Sequence, residues 1–254
     1  MNSTYVLTKL FFQNIIRDKF FSFVFFSGVL FGCFSIVLNE ISYGATEMVI
    51  RSFSLGFLSV TMIFLSIFFG LSIISSEGIK NSIIMLICRP IRKVEIVISS
   101  TVAFLVALLV AELVILGEFY LIFSLYGLKI GVDFLYGLLG ILFESMTIFG
   151  ITLLFRNFLS PLIATIFVSS LYIFSHSARG LLELSFFKEK IYLKYGVEFL
   201  SRVFPDLTYF DFKHIVFNNV NYLNDVANGC FYFIVSFLII IYLVCFIFHI
   251  RDFD

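Results

Sequence analysis

The sequence predicts an all-α integral membrane protein with six transmembrane helices and no catalytic domain. Of its 254 residues, 61% are hydrophobic and only 13% are charged, and the mean hydropathy is +1.08. A water-soluble domain cannot bury so large an apolar fraction. The apolar residues form continuous runs instead of alternating with polar ones, which favours helices over a β-barrel. The equal numbers of basic and acidic residues argue against a nucleic-acid partner.

Six charge-poor runs are long enough to cross the ~30 Å hydrocarbon layer, which takes about 20 helical residues. They define a single membrane domain over residues 1–254. The predicted spans are Phe20–Leu38, Ser52–Ser76, Ile96–Tyr126, Phe134–Phe155, Asn157–Ala178 and Val226–Phe248.

The residues ahead of the first span, 4–19, alternate apolar pairs with polar and charged side chains. This pattern predicts an N-terminal amphipathic helix that lies at the membrane interface.

The connection between the second and third spans, residues 76–95, contains six charged residues and an apolar stripe at helical spacing that Pro90 ends. The stripe must face either the bilayer surface or another protein, and its spacing does not decide between them.

The connection between the fifth and sixth spans, residues 179–225, is too apolar for a free linker. We expect one or two interfacial helices there, packed on the outer face of the membrane. It includes the sequence FPDLTYFDFK at 204–213.

Basic residues in the short connections predict the orientation. The two short outer loops hold only Arg51 and Lys129, whereas nine basic residues lie in the segments assigned to the cytoplasm. The long connection 179–225 carries six more basic residues on the outer side, which counts against this orientation without reversing it. Both termini are therefore expected in the cytoplasm. The nine are Lys9, Arg17, Lys19, Lys80, Arg89, Arg92, Lys93, Arg156 and Arg251.

Taken in order, these features resemble the permease subunits of type-2 ABC transporters, and most of all the export-type permeases of copper-enzyme maturation. In the loop 76–95, the family pattern is matched by Glu77, Pro90, Lys93 and the pair Glu95–Ile96. The loop departs from the pattern at Asn81–Ser82, where Gly-Thr is usual, and at Ser100, where a lysine often follows. The outer pattern is matched by Pro205, Asp206, Leu207, Phe210, Asp211 and Lys213.

The resemblance implies a homo- or heterodimer of six-span subunits in a bacterial cytoplasmic (inner) membrane. ATP and Mg²⁺ would bind to separate ATPase subunits, because this chain has no GxxxxGK[ST] motif. The exported substrate would be a lipid, a peptide, a metal-related species or an extracytoplasmic partner protein. The ATPase would dock on the coupling loop 76–95, at Glu77, Ser82, Leu86, Arg89, Pro90, Lys93 and Glu95.

Two acidic residues, Glu112 and Glu144, lie deep within predicted spans. A carboxylate at the bilayer centre costs about 2.5–3.5 kcal/mol on insertion scales, so it normally faces protein or water. Each either packs neutral between helices or lines a hydrated route or moving joint. We expect packing for Glu144 and a functional role for Glu112, and no role for Glu118, which lies nearer the outer boundary. His176 is expected to be a hydrogen-bonded interface residue.

Two other classes of protein remain as alternatives. A secondary transporter or channel would need no ATPase and would use paired ionisable residues within the membrane. A membrane enzyme would need a signature such as HExxH or GxSG, and neither occurs in the sequence. We therefore expect no catalytic residue, cofactor site or metal ligand in this chain.

Overall fold

The structure is a computed structural model that describes residues 3–17, 20–41, 46–75, 93–127, 131–183, 192, 195, 197, 199, 204–212 and 222–250. Within these residues the chain forms helices and turns but no strands, which confirms the predicted all-α fold. The helices are α1 (Ser3–Arg17), α2 (Phe20–Ile41), α3 (Thr46–Ser75), α4 (Lys93–Leu125), α5 (Val132–Arg156), α6 (Pro161–Glu183), a short 3₁₀ helix (Leu207–Phe210) and α7 (Tyr222–Ile250).

Five of the described helices are long and apolar enough to cross a membrane, namely α3 to α7. They correspond to the second to sixth predicted spans. In α2 the described apolar stretch is Ser22–Leu38, which is shorter than these five. The fold is therefore that of a multi-pass membrane protein, and the first predicted span, Phe20–Leu38, stays a prediction.

The boundary between α5 and α6 differs from the one predicted. Residues 157–160 form a turn, in which Asn157 is buried and its side-chain amide donates to the carbonyl of Leu153 at 2.9 Å. Helix α6 begins at Pro161 and continues to Glu183, so the predicted span 157–178 starts four residues too early. Its predicted end agrees with that of the apolar stretch, Pro161–Ala178. Proline suits a first helical position, because it has no N–H group to leave unpaired there.

Helix α1 has the predicted amphipathic character. Leu7, Phe11 and Ile15 are buried, one per turn, while Lys9 and Gln13 are exposed. The helix packs on α4, and the hydroxyl of Ser99 in α4 donates to the backbone carbonyl of Thr4 at 3.2 Å. The apolar stripe thus has a protein partner, where the sequence suggested the surface of the bilayer.

Helix α2 contacts the second half of α4. Gly28 lies against the Glu118 carboxyl group, and a Cβ on Gly32 would lie 3.8 Å from Ile122. Between these contacts, the ring of Phe31 lies 4.4 Å from that of Phe119. Helices α1 and α2 therefore follow one another along the 33 residues of α4.

Helices α3 and α5 run side by side in the same direction and form the centre of the bundle. A Cβ on Gly137 would meet Leu55 at 3.1 Å, and one on Gly70 would meet Thr152 at 2.6 Å. Glycine at these two positions lets the helices approach closely over most of their length. Helix α5 is the better buried of the two. Of its apolar stretch, 72% is buried inside the protein, against 61% for α3.

Candidate functional site

The middle residue of α5, Glu144, is the best-buried acidic side chain among the described residues, with 3% of its surface exposed. The hydroxyl of Ser59 in α3 donates to its Oε2 atom at 3.3 Å. Nε2 of His176 in α6 lies 2.5 Å from its Oε1 atom. One carboxyl group thus joins three helices.

Tyr172 extends this polar cluster by one turn of α6. Its ring meets that of His176 edge-on, with the centroids 4.9 Å apart. Its side chain is hydrogen-bonded to Ser59, which also contacts Glu144. We call Ser59, Glu144, Tyr172 and His176 the central cluster. Its members satisfy one another's hydrogen bonds, as buried polar groups normally do.

A second polar arrangement holds residues 204–212 against α6 and α7. The Ser175 hydroxyl donates to the carbonyl oxygen of Pro205 at 3.0 Å and accepts from the backbone N–H of Leu207 at 2.9 Å. The backbone N–H of Asp206 donates to the Tyr232 hydroxyl at 2.8 Å. The Asp206 carboxyl group then caps the 3₁₀ helix by accepting from the N–H of Thr208 at 3.0 Å.

Segment 204–212 lies within the helix bundle and not on its outer face. The backbone oxygen of Phe210 lies against Gly140, eight residues or ~12 Å into α5. Leu207, Phe210 and Phe212 are at most 2% exposed. This part of 179–225 is thus buried between α5, α6 and α7, and the expected interfacial helices stay a prediction for the rest of the connection. Irregular backbone at such depth needs protein partners for its polar groups, and Ser175 and Tyr232 supply them.

The outer-loop motif predicted from the sequence is brought together here. Pro205 and Asp206 contact α6 and α7, Phe210 contacts α5, and Asp211 donates its backbone N–H to the carbonyl of Thr208 at 3.2 Å. The described part of the motif thus contacts all three helices, whereas Lys213 lies outside the described residues.

Glu112 lies at nearly the same level as Glu144 but does not join the central cluster. Oε1 of Glu112 is buried and has no hydrogen-bond partner among the described residues. The hydrogen bonds of Glu144 go to α3 and α6, not to α4. The similar level of Glu112 and Glu144 follows from two ring contacts between the antiparallel helices α4 and α5. These contacts join Phe104 with Phe149 and Phe119 with Phe134.

Glu118 does not face the open surroundings that its position near the outer boundary suggested. Its carboxyl group lies against Gly28 of α2, and both of its oxygen atoms are covered without a hydrogen-bond partner among the described residues. A Cβ at Gly28 would overlap the carboxyl group unless the flexible Glu118 side chain moved aside.

The contact between His176 and Glu144 is the feature that sequence reasoning missed. The predicted fifth span ends at Ala178, which puts His176 near a membrane boundary, and nothing in that position indicates that its imidazole contacts Glu144 of α5. One region of α6 carries three polar residues at three- and four-residue spacing, namely Tyr172, Ser175 and His176. This grouping is the sequence feature that could have indicated a polar contact here.

The coupling loop falls largely outside the described residues, and so do Glu77, Ser82, Leu86, Arg89 and Pro90. Lys93 and Glu95 are described, and both lie in the first turn of α4. The predicted role of the loop stays a prediction.

The central cluster joins α3, α5 and α6 inside the membrane domain, and Ser175 links it to segment 204–212. A carboxyl and an imidazole in direct contact can share or exchange a proton. No protein-family profile and no curated protein sequence matches the chain. The function must therefore be argued from this arrangement and from the motifs.

Proposed function

We propose that this chain is the permease subunit of a type-2 ABC transporter, which converts ATP-driven movements of separate ATPase subunits into export or mechanical work across a membrane. The observation that carries the proposal is the position of the motif in segment 204–212. Residues that resemble the family's outer motif do not lie in a loose loop; they contact α5, α6 and α7 near the middle of the bundle. Movement of these helices would be passed to the outer half of the molecule through this segment.

The charged loop 76–95 supports the same proposal. It connects α3 and α4, and these helices differ in what they contact. Helix α3 packs mainly on α5, whereas α4 carries α1 and α2 along its length. An ATPase docked on the loop would therefore act on both parts of the bundle. The sequence has no phosphate-binding loop, so the ATP and Mg²⁺ would be held by the partner.

The proposal is tested by purifying the tagged full-length chain from its native membrane in a mild detergent. We expect an ATPase with a GxxxxGK[ST] motif to copurify in about equal amount, and we expect ATP hydrolysis by the complex. A chain that purifies without any nucleotide-binding protein, under conditions that keep it folded, would refute the proposal.

A second candidate is a proton-coupled secondary transporter, which the contact between Glu144 and His176 favours. Ionisable pairs within membrane helices are characteristic of proton relays. This candidate requires no ATPase. It predicts that the purified chain alone, in sealed vesicles with a pH gradient, admits protons in a way that Glu144→Leu abolishes. Proton entry at the rate of empty vesicles would exclude it.

A further inference from the structure

Two consecutive residues of α6, Ser175 and His176, have different partners. His176 contacts Glu144 of α5, and Ser175 holds the backbone of Pro205 and Leu207. Successive residues project about 100° apart around an α-helix, so one turn of α6 contacts both α5 and segment 204–212. The central cluster and segment 204–212 are therefore joined through a single rigid piece of backbone.

We propose that Ser175 and His176 form a latch, in which segment 204–212 stays seated only while the contact between His176 and Glu144 is closed. Opening that contact would let this turn of α6 move away from α5 and carry the Ser175 hydroxyl away from its two backbone partners. The latch is a property of this chain alone and does not depend on the transporter proposal.

The distances make the segment sensitive to a small movement of α6. Both hydrogen bonds of Ser175 have ordinary lengths, 3.0 and 2.9 Å. A displacement of α6 by about 1 Å would break them, because hydrogen bonds weaken steeply beyond the usual range. The Pro205 carbonyl and the Leu207 N–H would then be left unpaired in an apolar interior, which favours release of the segment.

Helix α6 is less buried in the bundle than α5. Of its apolar stretch, 28% is buried within the protein, against 72% for α5 and 17% for α7. The contact between His176 and Glu144 is its polar attachment to the best-buried helix of the bundle. A helix with so few buried apolar contacts opens locally at lower cost than one in the core.

Segment 204–212 has further contacts that do not involve α6, and these contacts determine which part of the segment would be released. Phe210 is packed against Gly140 of α5, independently of α6. The backbone N–H of Asp206 is likewise held by the Tyr232 hydroxyl of α7. Opening the latch would therefore free Leu207 between two anchors that stay in place, at Asp206 and at Phe210. Leu207 is 0% exposed in the seated segment, so a thiol at that position would report the release.

The experiment uses the full-length chain with Cys33, Cys88, Cys230 and Cys245 replaced by alanine and with Leu207→Cys as the only thiol. The labelling rate with a hydrophilic maleimide is measured in open membrane fragments, where both faces are accessible. We expect Ser175→Ala and His176→Phe each to raise the rate about tenfold, the effect of losing about one hydrogen bond. Ser145→Ala is the matched control, because its hydroxyl donates only to Ile141 of its own helix, and its rate should not change.

A parallel set with Ser66→Cys as the only thiol reports general unfolding, because Ser66 is 0% exposed on α3. Its labelling should stay slow in every variant. Faster labelling of the Leu207→Cys thiol in Ser175→Ala but not in His176→Phe would overturn the latch, and so would an unchanged rate in both. Equal acceleration of the two thiols would also overturn it, since the effect would then be loss of the fold.

His176→Phe leaves the Glu144 carboxyl without its imidazole partner and could prevent folding. The double variant Glu144→Leu with His176→Phe removes both polar groups, which avoids leaving one buried polar group unpaired. If only the double variant folds, it must show the same tenfold increase for the latch to stand, and a rate equal to that of the unchanged chain would overturn it.

Discussion

The backbone oxygen of Phe210 lies directly against Gly140 of α5, so that a side chain at Gly140 would overlap it. A Cβ at that position would also lie 3.0 Å from the ring of Phe212. The overlapped atom belongs to the backbone of segment 204–212, which cannot rotate away as a flexible side chain could. The approach of this segment to α5 therefore depends on a glycine.

We predict that Gly140→Ala lowers the stability of the protein. Overpacking of a buried contact costs about 1–3 kcal/mol, and the gain in helix propensity from glycine to alanine offsets about 1 kcal/mol of that. The check is the melting temperature of the protein purified in detergent. Gly117→Ala is the matched control, because a Cβ there meets no atom within 4 Å. An equal fall in both variants would mean that the close approach of Phe210 is not the cause.

The central cluster leads to a prediction about paired substitutions. Glu144→Leu should lower the stability by about 1–3 kcal/mol, because it leaves His176 and Ser59 without their acceptor. Glu144→Gln keeps an acceptor of similar shape and should cost less. Adding His176→Phe to Glu144→Leu should restore part of the loss, because the imidazole is no longer left unpaired. Thermal unfolding of the single and double variants checks this, and strictly additive losses would contradict it.

The elements that the sequence predicts best are those with a strong local pattern. The stripe of Leu7, Phe11 and Ile15 repeats every four residues and correctly predicts which face of α1 is buried. The pattern does not say what covers that face, because a bilayer surface and the side of α4 are both apolar. Hydropathy likewise predicts the helices α3 to α7, while Pro161 marks the start of α6 more accurately than hydropathy does.

The candidate site was harder to predict because its contacts join residues far apart in the chain. Glu144 and His176 are separated by 32 positions, and Ser59 and Glu144 by 85. Neither pair leaves a periodic trace in the sequence. The acidic residue could be recognised from its position within an apolar run, but its partners depend on how α3, α5 and α6 pack. The contact of Gly140 could not be predicted either, because its partner Phe210 lies far along the chain, in the connection between α6 and α7.

Glu112 is the acidic residue for which we predict a role in transport. Its Oε1 atom is buried without a hydrogen-bond partner among the described residues, so its carboxyl group is not explained by local packing. On the proposed function, Glu112→Gln should reduce transport by the complex while expression and binding of the ATPase stay unchanged. Glu118→Gln serves as the control, because the oxygen atoms of Glu118 are also buried without a hydrogen-bond partner among the described residues, while Glu118 lies nearer the outer boundary and we expect no role for it. Normal transport by a folded Glu112→Gln complex would refute the role.

The predicted orientation can be tested with two cysteine substitutions in a background without other cysteines. Asn81→Cys lies in the coupling loop and should be unreactive towards a membrane-impermeant thiol reagent in intact cells. Asn219→Cys lies in the outer connection and should react. The physical basis is the excess of basic residues in the connections assigned to the cytoplasm. The opposite labelling pattern would reverse the orientation and remove loop 76–95 from the side where ATP is hydrolysed.

The coupling loop provides the last prediction, which concerns Glu77 and Arg89. Both lie in the charged connection 76–95, so replacing them together by alanine should leave insertion of the membrane helices intact. If the loop docks on an ATPase, loss of two contact residues should weaken that binding about tenfold or more, as removal of central interface residues does. The measurement is the amount of ATPase retained by the tagged chain over a range of detergent washes, together with the rate of ATP hydrolysis.

A matched variant, Glu189→Ala with Lys190→Ala, removes one acidic and one basic residue from the outer connection and should retain the ATPase fully. Full retention and normal transport in the loop variant would show that these two residues do not hold the contact. Equal losses in both variants would point to a general effect of charge removal, because in the predicted orientation the outer pair lies on the side of the membrane that the ATPase cannot reach.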